Sequence, residues 1–217
     1  METRSVTIPI SDSIGAVSGL LVQPTAMKAI LTLAHGAGAG MLHPFMASLA
    51  GHLATHDIGS LRFNFPFTEN GKGRPDPPVV AEKTIAVMLQ KAAELYPGLP
   101  VFAAGKSFGG RMSSQYLSKN SPSFIRGIVF YGFPLHPPGK QDVVRAAHLG
   151  SVKVPMLFLQ GTRDALAEIS LVKKVCSALP LATLVEVEGA DHSFKAGKKE
   201  IMPALAEETG KWMNVLL

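Results

Sequence analysis

The sequence predicts an α/β protein whose mostly parallel sheet is flanked by helices on both faces. Three observations predict it. Continuous apolar runs such as Ala29–Ala34 and Ile125–Tyr131 read as strands buried on both faces. These runs alternate with stretches of helical periodicity, and that alternation implies parallel strands joined by crossover helices. A length of 217 residues, 47% hydrophobic and 17% charged, suits one globular domain over residues 1–217. No internal repeat or domain boundary stands out.

Taken in order, residues 5–10 and 15–22 read as two strands joined by the turn-forming Ser11-Asp12-Ser13, an antiparallel pair at the sheet edge. Ala29–Ala34 runs into the loop His35-Gly36-Ala37-Gly38-Ala39-Gly40. His43-Pro44 then opens a helix with Phe45, Met46, Leu49 and Leu53 on one stripe. Residues 60–65 read as a strand ended by Pro66. The Gly- and Pro-rich stretch 66–78, with Lys72 and Arg74, is expected to be a mobile surface loop.

A helical stripe of Ile85, Met88, Leu89, Ala92 and Leu95 within residues 81–96 is closed by Pro97-Gly98. After the apolar run 101–104, a helix over 110–119 turns Met112, Tyr116 and Leu117 inward. Only about twenty residues link Ile125–Tyr131 to the next strand at 155–160, which leaves no room for a cap domain. Residues 167–179 are helical, 183–187 form the last strand, and 202–217 a closing helix with Met202, Leu205, Trp212 and Leu216 facing in.

Composition excludes several function classes. The net charge of +5 comes from Lys and Arg spread along the chain, and the densest group, Lys195, Lys198 and Lys199, is short and lacks aromatics. It reads as a solvated surface, so no nucleic acid is expected. The first ten residues hold no apolar core of signal-peptide length, and no apolar run approaches the roughly 18 residues of a membrane span. A lone cysteine, Cys176, forms no internal disulfide and suits a reducing cytoplasm; its helical setting reads as a small buried hydrophobe. His56-Asp57 reads as a helix end rather than a metal site, since no further ligands stand at fixed spacing. Neither a metal nor an organic cofactor is expected.

The chemistry centres on Gly105-Lys106-Ser107-Phe108-Gly109-Gly110, where a buried strand turns sharply through Ser107 into a helix. The glycines permit backbone to approach backbone. Gly105-Lys106-Ser107 does not end a phosphate-binding loop, because Pro100 stands where that loop needs glycine. A serine hydroxyl needs a base to take its proton and a third group to orient the base. Asp164 follows the strand at 155–160 and His192 follows the last strand, giving the order Ser107, Asp164, His192. Such groups belong at the carboxyl ends of strands. Asp164 taken alone also reads as a helix cap. Donors for a developing oxyanion are expected from the backbone of Phe108 and of Ala37, with Gly38 as second choice. His43, Arg62, Arg111 and His136 are candidates for the pocket border. Arg62, Lys72, Arg74 or Lys106 could favour an acidic substrate.

This GxSxG elbow places the chain's resemblance with the α/β-hydrolase superfamily. The segments 35–41, 62–67, 105–111 and 131–135 resemble its small lidless dienelactone-hydrolase-like branch. The resemblance implies an eight-stranded α/β-hydrolase core without a cap domain. It also implies hydrolysis of small carboxylic esters or thioesters, through an acyl-enzyme on Ser107. Dienelactone hydrolases use cysteine as nucleophile, so the serine here argues against dienelactone itself as substrate. The open, lidless site is expected to be shallow and modestly selective. Two alternatives differ in class: a catalytically silent interaction module, and a serine peptidase, which the absence of a capping segment disfavours.

Overall fold

Eight strands form one sheet in the order β1-β2-β4-β3-β5-β6-β7-β8. In the computed structural model, which describes residues 1–217, they are β1 (Glu2–Ser11), β2 (Gly15–Gln23), β3 (Ala29–Ala34), β4 (Ile58–Phe63), β5 (Val101–Lys106), β6 (Ile125–Tyr131), β7 (Met156–Gly161) and β8 (Ala182–Val187). β1 and β2 pair antiparallel, as does β2 with β4; every other neighbouring pair is parallel.

Side chains alternate across a strand, so the apolar runs feed two cores. Ile30, Ala103, Phe130 and Phe158 point to one face, where α3 (Pro78–Leu95), α4 (Phe108–Lys119) and α5 (Ile169–Ser177) supply Met88, Met112 and Val172. Their neighbours Leu31, Phe102, Val129 and Leu157 point to the other, against Leu49 and Leu53 of α1 (Pro44–Ala54) and Leu205 and Met213 of α6 (Met202–Asn214). Full burial of each such side chain is worth about 1.5–3 kcal/mol. Trp212 meets Phe102 edge to face at 6.1 Å. The connection from β6 to β7 holds two single 3-10 turns, Val144–Ala146 and Leu149–Ser151, and no inserted domain. No helix is long and apolar enough to cross a membrane.

The structure moves several expected boundaries. β4 spans Ile58–Phe63 rather than 60–65 because its partner β3 ends at Ala34, opposite Phe63. Asn64 keeps one bond to β2, its N–H donating to the Ser18 carbonyl at 2.9 Å, and Phe65 starts the one-turn helix α2 (Pro66–Glu69). The stretch 66–78 is therefore not a uniformly open loop. Phe67 is buried against Phe65, at 6.0 Å, and its N–H donates to Asp76 Oδ2 at 2.8 Å. Lys72 and Arg74 are exposed. His56 and Asp57 form the turn from α1 into β4, with Asp57 at φ 61 and paired with Lys28 at 3.3 Å.

Candidate active site

Ser107 sits between β5 and α4 at φ 51, ψ −112, a conformation that side chains rarely adopt. The turn is tight enough to specify its neighbours. A Cβ on Gly105 would stand 2.2 Å from the nitrogen of Gly110, and one on Gly109 would stand 2.4 Å from the carbonyl oxygen of Ala34. Either would force backbone apart. α4 accordingly starts at Phe108, immediately after the serine, two residues earlier than the sequence suggests.

The structure brings the three residues in the expected order into one hydrogen-bonded chain. Ser107 Oγ lies 2.9 Å from His192 Nε2, and His192 Nδ1 lies 2.7 Å from Asp164 Oδ2. The carboxylate accepts from Nδ1–H, which leaves Nε2 free to accept from the serine. The Asp164 side chain is wholly buried, whereas His192 keeps 24% of its side chain exposed.

Asp164 is held from three sides. Besides His192, Oδ2 accepts from Gln160 Nε2 at 2.6 Å, and Oδ1 accepts from the Leu166 N–H at 2.8 Å. The cap of α5 is instead Glu168, whose carboxylate accepts from the N–H groups of Ser170 and Leu171. Asp164 thus bonds to His192, Gln160 and its own turn, and does not cap α5. Gln160 escapes the sequence reading; its only signal is a lone amide closing an apolar strand. The loops carrying Asp164 and His192 are joined, since Arg163 N–H donates to the Ala190 carbonyl at 3.0 Å and Gly189 N–H to Thr162 Oγ1 at 2.8 Å.

The loop after β3 is pinned by side chains from β4 and α2. Asn64 Oδ1 accepts from Met41 N–H at 2.9 Å, and Thr68 Oγ1 donates to the Ala39 carbonyl at 3.3 Å. Arg62 belongs to this support and not to the pocket border: its buried guanidinium donates to the Met41 carbonyl at 2.9 Å. Ala37 N–H and Phe108 N–H donate to no protein group, and both residues border the space over Ser107.

His35, fully buried, locks the start of this loop. Its Nδ1 donates to the Gly36 carbonyl at 2.8 Å and its Nε2 accepts from Phe65 N–H at 3.0 Å, an arrangement open only to neutral imidazole. Burial lowers its pKa from 6.5 to about 4. Because the unfolded chain takes up this proton first, the stability it protects is present above pH 6.5 and lost as the pH falls toward 4, by about 3 kcal/mol. His148, whose Nε2–H donates to Ser114 Oγ at 2.7 Å while that hydroxyl donates to the Arg111 carbonyl, is likewise lowered to about 4 by burial and acts in the same direction. Urea midpoints at pH 7 and pH 4.5 are expected to fall further for the wild type than for His35→Gln; equal falls would remove His35 from this account.

Ser107 lies where two clefts meet. One, of about 380 Å³, is bordered by Ala37, Gly38, His43, Phe45, Met46, Leu166 and His192. The other, of about 370 Å³, shares Ala37, Ser107 and Leu166 with it and adds Asp76, Phe108, Arg111, Pro134 and Arg145. His43 thus borders the first cleft and Arg111 the second. His43 also caps α1, its Nδ1 accepting from Phe45 N–H. Arg111 and Arg145 are ion-paired with no carboxylate. Burial, and then the charge of Arg145, lower the pKa of Arg111. His136 does not reach either cleft. It is buried behind the aspartate loop, with Nδ1 donating to the Pro137 carbonyl and Nε2 accepting from Glu168 N–H at 3.1 Å.

A family model described as an alpha/beta hydrolase domain matches residues 27–209. Among solved structures, a dienelactone hydrolase from Anabaena variabilis superposes with a TM-score of 0.80 at 21% identity, covering 100% of this chain and 98% of that one. An alpha-beta serine hydrolase homologue from Coxiella burnetii gives 0.79 at 20% identity, covering 98% of each chain. A serine hydrolase without lid from Xanthomonas campestris gives 0.77 at 19% identity, covering 98% of this chain and 95% of the other. At these identities the likeness is one of fold.

Proposed function

The chain belongs to the alpha/beta hydrolase domain family, and on that premise we propose that it is a serine hydrolase that cleaves small carboxylic esters or thioesters through an acyl-enzyme on Ser107. The observation that carries this reading is the continuous chain from Ser107 Oγ through His192 to Asp164. His192 Nε2 takes the serine proton as Oγ bonds to the substrate carbonyl carbon. The carbonyl oxygen becomes an oxyanion that takes the N–H groups of Ala37 and Phe108, which donate to no protein group, as its donors, each such donor being worth about 3–4 kcal/mol. Collapse of the intermediate expels the alcohol or thiol, which takes the proton from His192. Water then attacks the acyl-enzyme with His192 again as base, and releases the acid. Asp164 holds the imidazole in the accepting tautomer and stabilises the imidazolium. The reading also places the enzyme in the cytoplasm, where Cys176 stays a buried thiol whose pKa burial pushes up to about 11.

Intact mass after exposure to a fluorophosphonate tests the proposal. One adduct on the folded wild type supports it; none would move the weight to a non-catalytic interaction role.

The two clefts divide the substrate. The first, bordered by Phe45 and Met46, suits an apolar portion, while the unpaired Arg111 and Arg145 in the second suit an anionic one. Lys106 borders the first cleft but its ammonium is bonded to the His192 carbonyl, and Arg62, Lys72 and Arg74 border neither cleft, so these two arginines replace the cations that the sequence offers for an acidic substrate. The 4-nitrophenyl ester of glutarate monoanion is expected to be cleaved with a kcat/KM about tenfold above that of its neutral methyl ester analogue. Arg111→Gln and Arg145→Gln should each lower that ratio. Preference for the neutral ester would exclude this orientation.

A further inference from the structure

The residue just before the nucleophile is a lysine whose side chain turns into the protein. Lys106 Nζ donates to the main-chain carbonyl of His192 at 2.6 Å. It lies 5.4 Å from the centre of the Phe194 ring and 5.9 Å from that of Phe45, and the two rings stack on each other at 5.8 Å. No carboxylate comes within ion-pairing distance of it. An ammonium drawn in among aromatic faces and one carbonyl is costly unless those contacts hold it.

The His192 loop is shaped around this contact. Phe194 adopts φ 60, rare for an aromatic residue, and buries its ring beside the lysine. Asp191 fixes the turn, its Oδ1 accepting from the N–H groups of Ser193 and Lys195. On β6, the first residue beyond the strand is Gly132 at φ 72. A Cβ there would lie 3.2 Å from Lys106 Nζ and 3.6 Å from His192 Nδ1, so the ammonium and the imidazole share one small space that a side chain would fill.

We infer that Lys106 is a positioning residue that ties the His192 loop to the nucleophile's own strand, keeping Nε2 within reach of Ser107. This rests on the reading of Ser107 and His192 as nucleophile and base. The hydrogen bond fixes the backbone of the base from the residue adjacent to the nucleophile, so the separation between the two is set from β5. The charged and titratable groups facing His192 are Asp164 from the loop after β7, Lys106 from β5, His43 across the cleft from α1, and Asp191 on its own loop. Burial lowers the ammonium itself to about 8, against the opposing pull of Asp164 and Asp191.

Lys106→Met keeps the length and apolar bulk of the side chain and removes both donor and charge; Lys106→Arg keeps charge and donors. For the wild type and both variants, the rate of fluorophosphonate labelling is measured, with kcat and KM on a small aryl ester, and Ser107→Ala as blank. In Lys106→Met, labelling and kcat are expected to fall at least tenfold with KM within twofold. Lys106→Arg should restore most of the wild-type rate. A rate within twofold of wild type, or a rise in KM that matches the fall in kcat, would overturn the proposal. Should Lys106→Met not fold, Lys106→Gln, whose shorter amide does not reach the His192 carbonyl, replaces it under the same expectations. Absence of label on the wild type refutes the serine-hydrolase reading; amide hydrogen exchange in the His192 loop, expected to quicken at least tenfold in Lys106→Met, then tests the tie, and unchanged exchange overturns it.

Discussion

Ser107→Ala is expected to take up no fluorophosphonate and to lower kcat on a small aryl ester by about 10^4- to 10^6-fold, with the fold intact. The size follows from what the hydroxyl does. On the proposed mechanism it supplies the atom that forms the acyl bond, so what remains is the orientation and oxyanion binding that Ala37 and Phe108 would still provide. The fold should survive because the Ser107 side chain caps nothing in α4. Its strained φ of 51 is imposed by the close approaches of Gly105 to Gly110 and of Gly109 to Ala34, and alanine meets the same backbone. Thermal unfolding close to that of the wild type, beside loss of label and turnover, separates a missing nucleophile from a damaged protein. A mutant retaining more than a hundredth of the wild-type rate would place the reacting atom elsewhere.

The elbow can be read from the sequence because its constraint is local. Gly105, Gly109 and Gly110 answer to steric demands within a few residues of Ser107, and an apolar run followed by a helical stripe places them between strand and helix. The order Ser107, Asp164, His192 can be read for a similar reason. Parallel strands deliver their carboxyl ends to one edge, so residues just past three strands are neighbours whatever the distance along the chain.

What the sequence conceals is the choice of partner. Arg62, Lys106 and His136 each follow or close an apolar strand, where a polar side chain could border a cleft. Their partners lie 21, 86 and 32 residues away. Arg62 grips Met41, Lys106 grips His192, and His136 braces Glu168, and nothing in local spacing distinguishes these from exposed groups. The end of β4 is hidden in the same way. Phe63, Phe65 and Phe67 alternate as strand residues do, but pairing stops where β3 stops, and Phe65 is buried by packing on His35 at 5.1 Å rather than by sheet position.

Asp164→Asn is the substitution whose effect depends most on those hidden partners, and it is expected to lower kcat by about 10^4-fold and stability by about 1–3 kcal/mol, the cost of a buried donor left unpaired. The carboxylate accepts everywhere: from His192 and Gln160 at Oδ2 and from Leu166 N–H at Oδ1. An amide has one accepting and one donating end, so each orientation leaves a donor facing a donor. With its oxygen toward His192, the NH2 group opposes the Leu166 N–H, and the imidazole keeps its tautomer but loses the charge that stabilises the imidazolium. With its NH2 toward His192, the imidazole must move its proton to Nε2, where it donates to Ser107 and can no longer act as base. The backbone turn, in which Ala167 N–H donates to the Asp164 carbonyl at 3.2 Å, and the Glu168 cap of α5 remain in both cases, which is why the fold should survive the change. Fluorophosphonate labelling should slow in parallel with turnover while KM stays near its wild-type value, because the substrate clefts are untouched. A loss of less than tenfold would mean that Asp164 serves its loop and not His192, and the orienting group would have to be sought elsewhere.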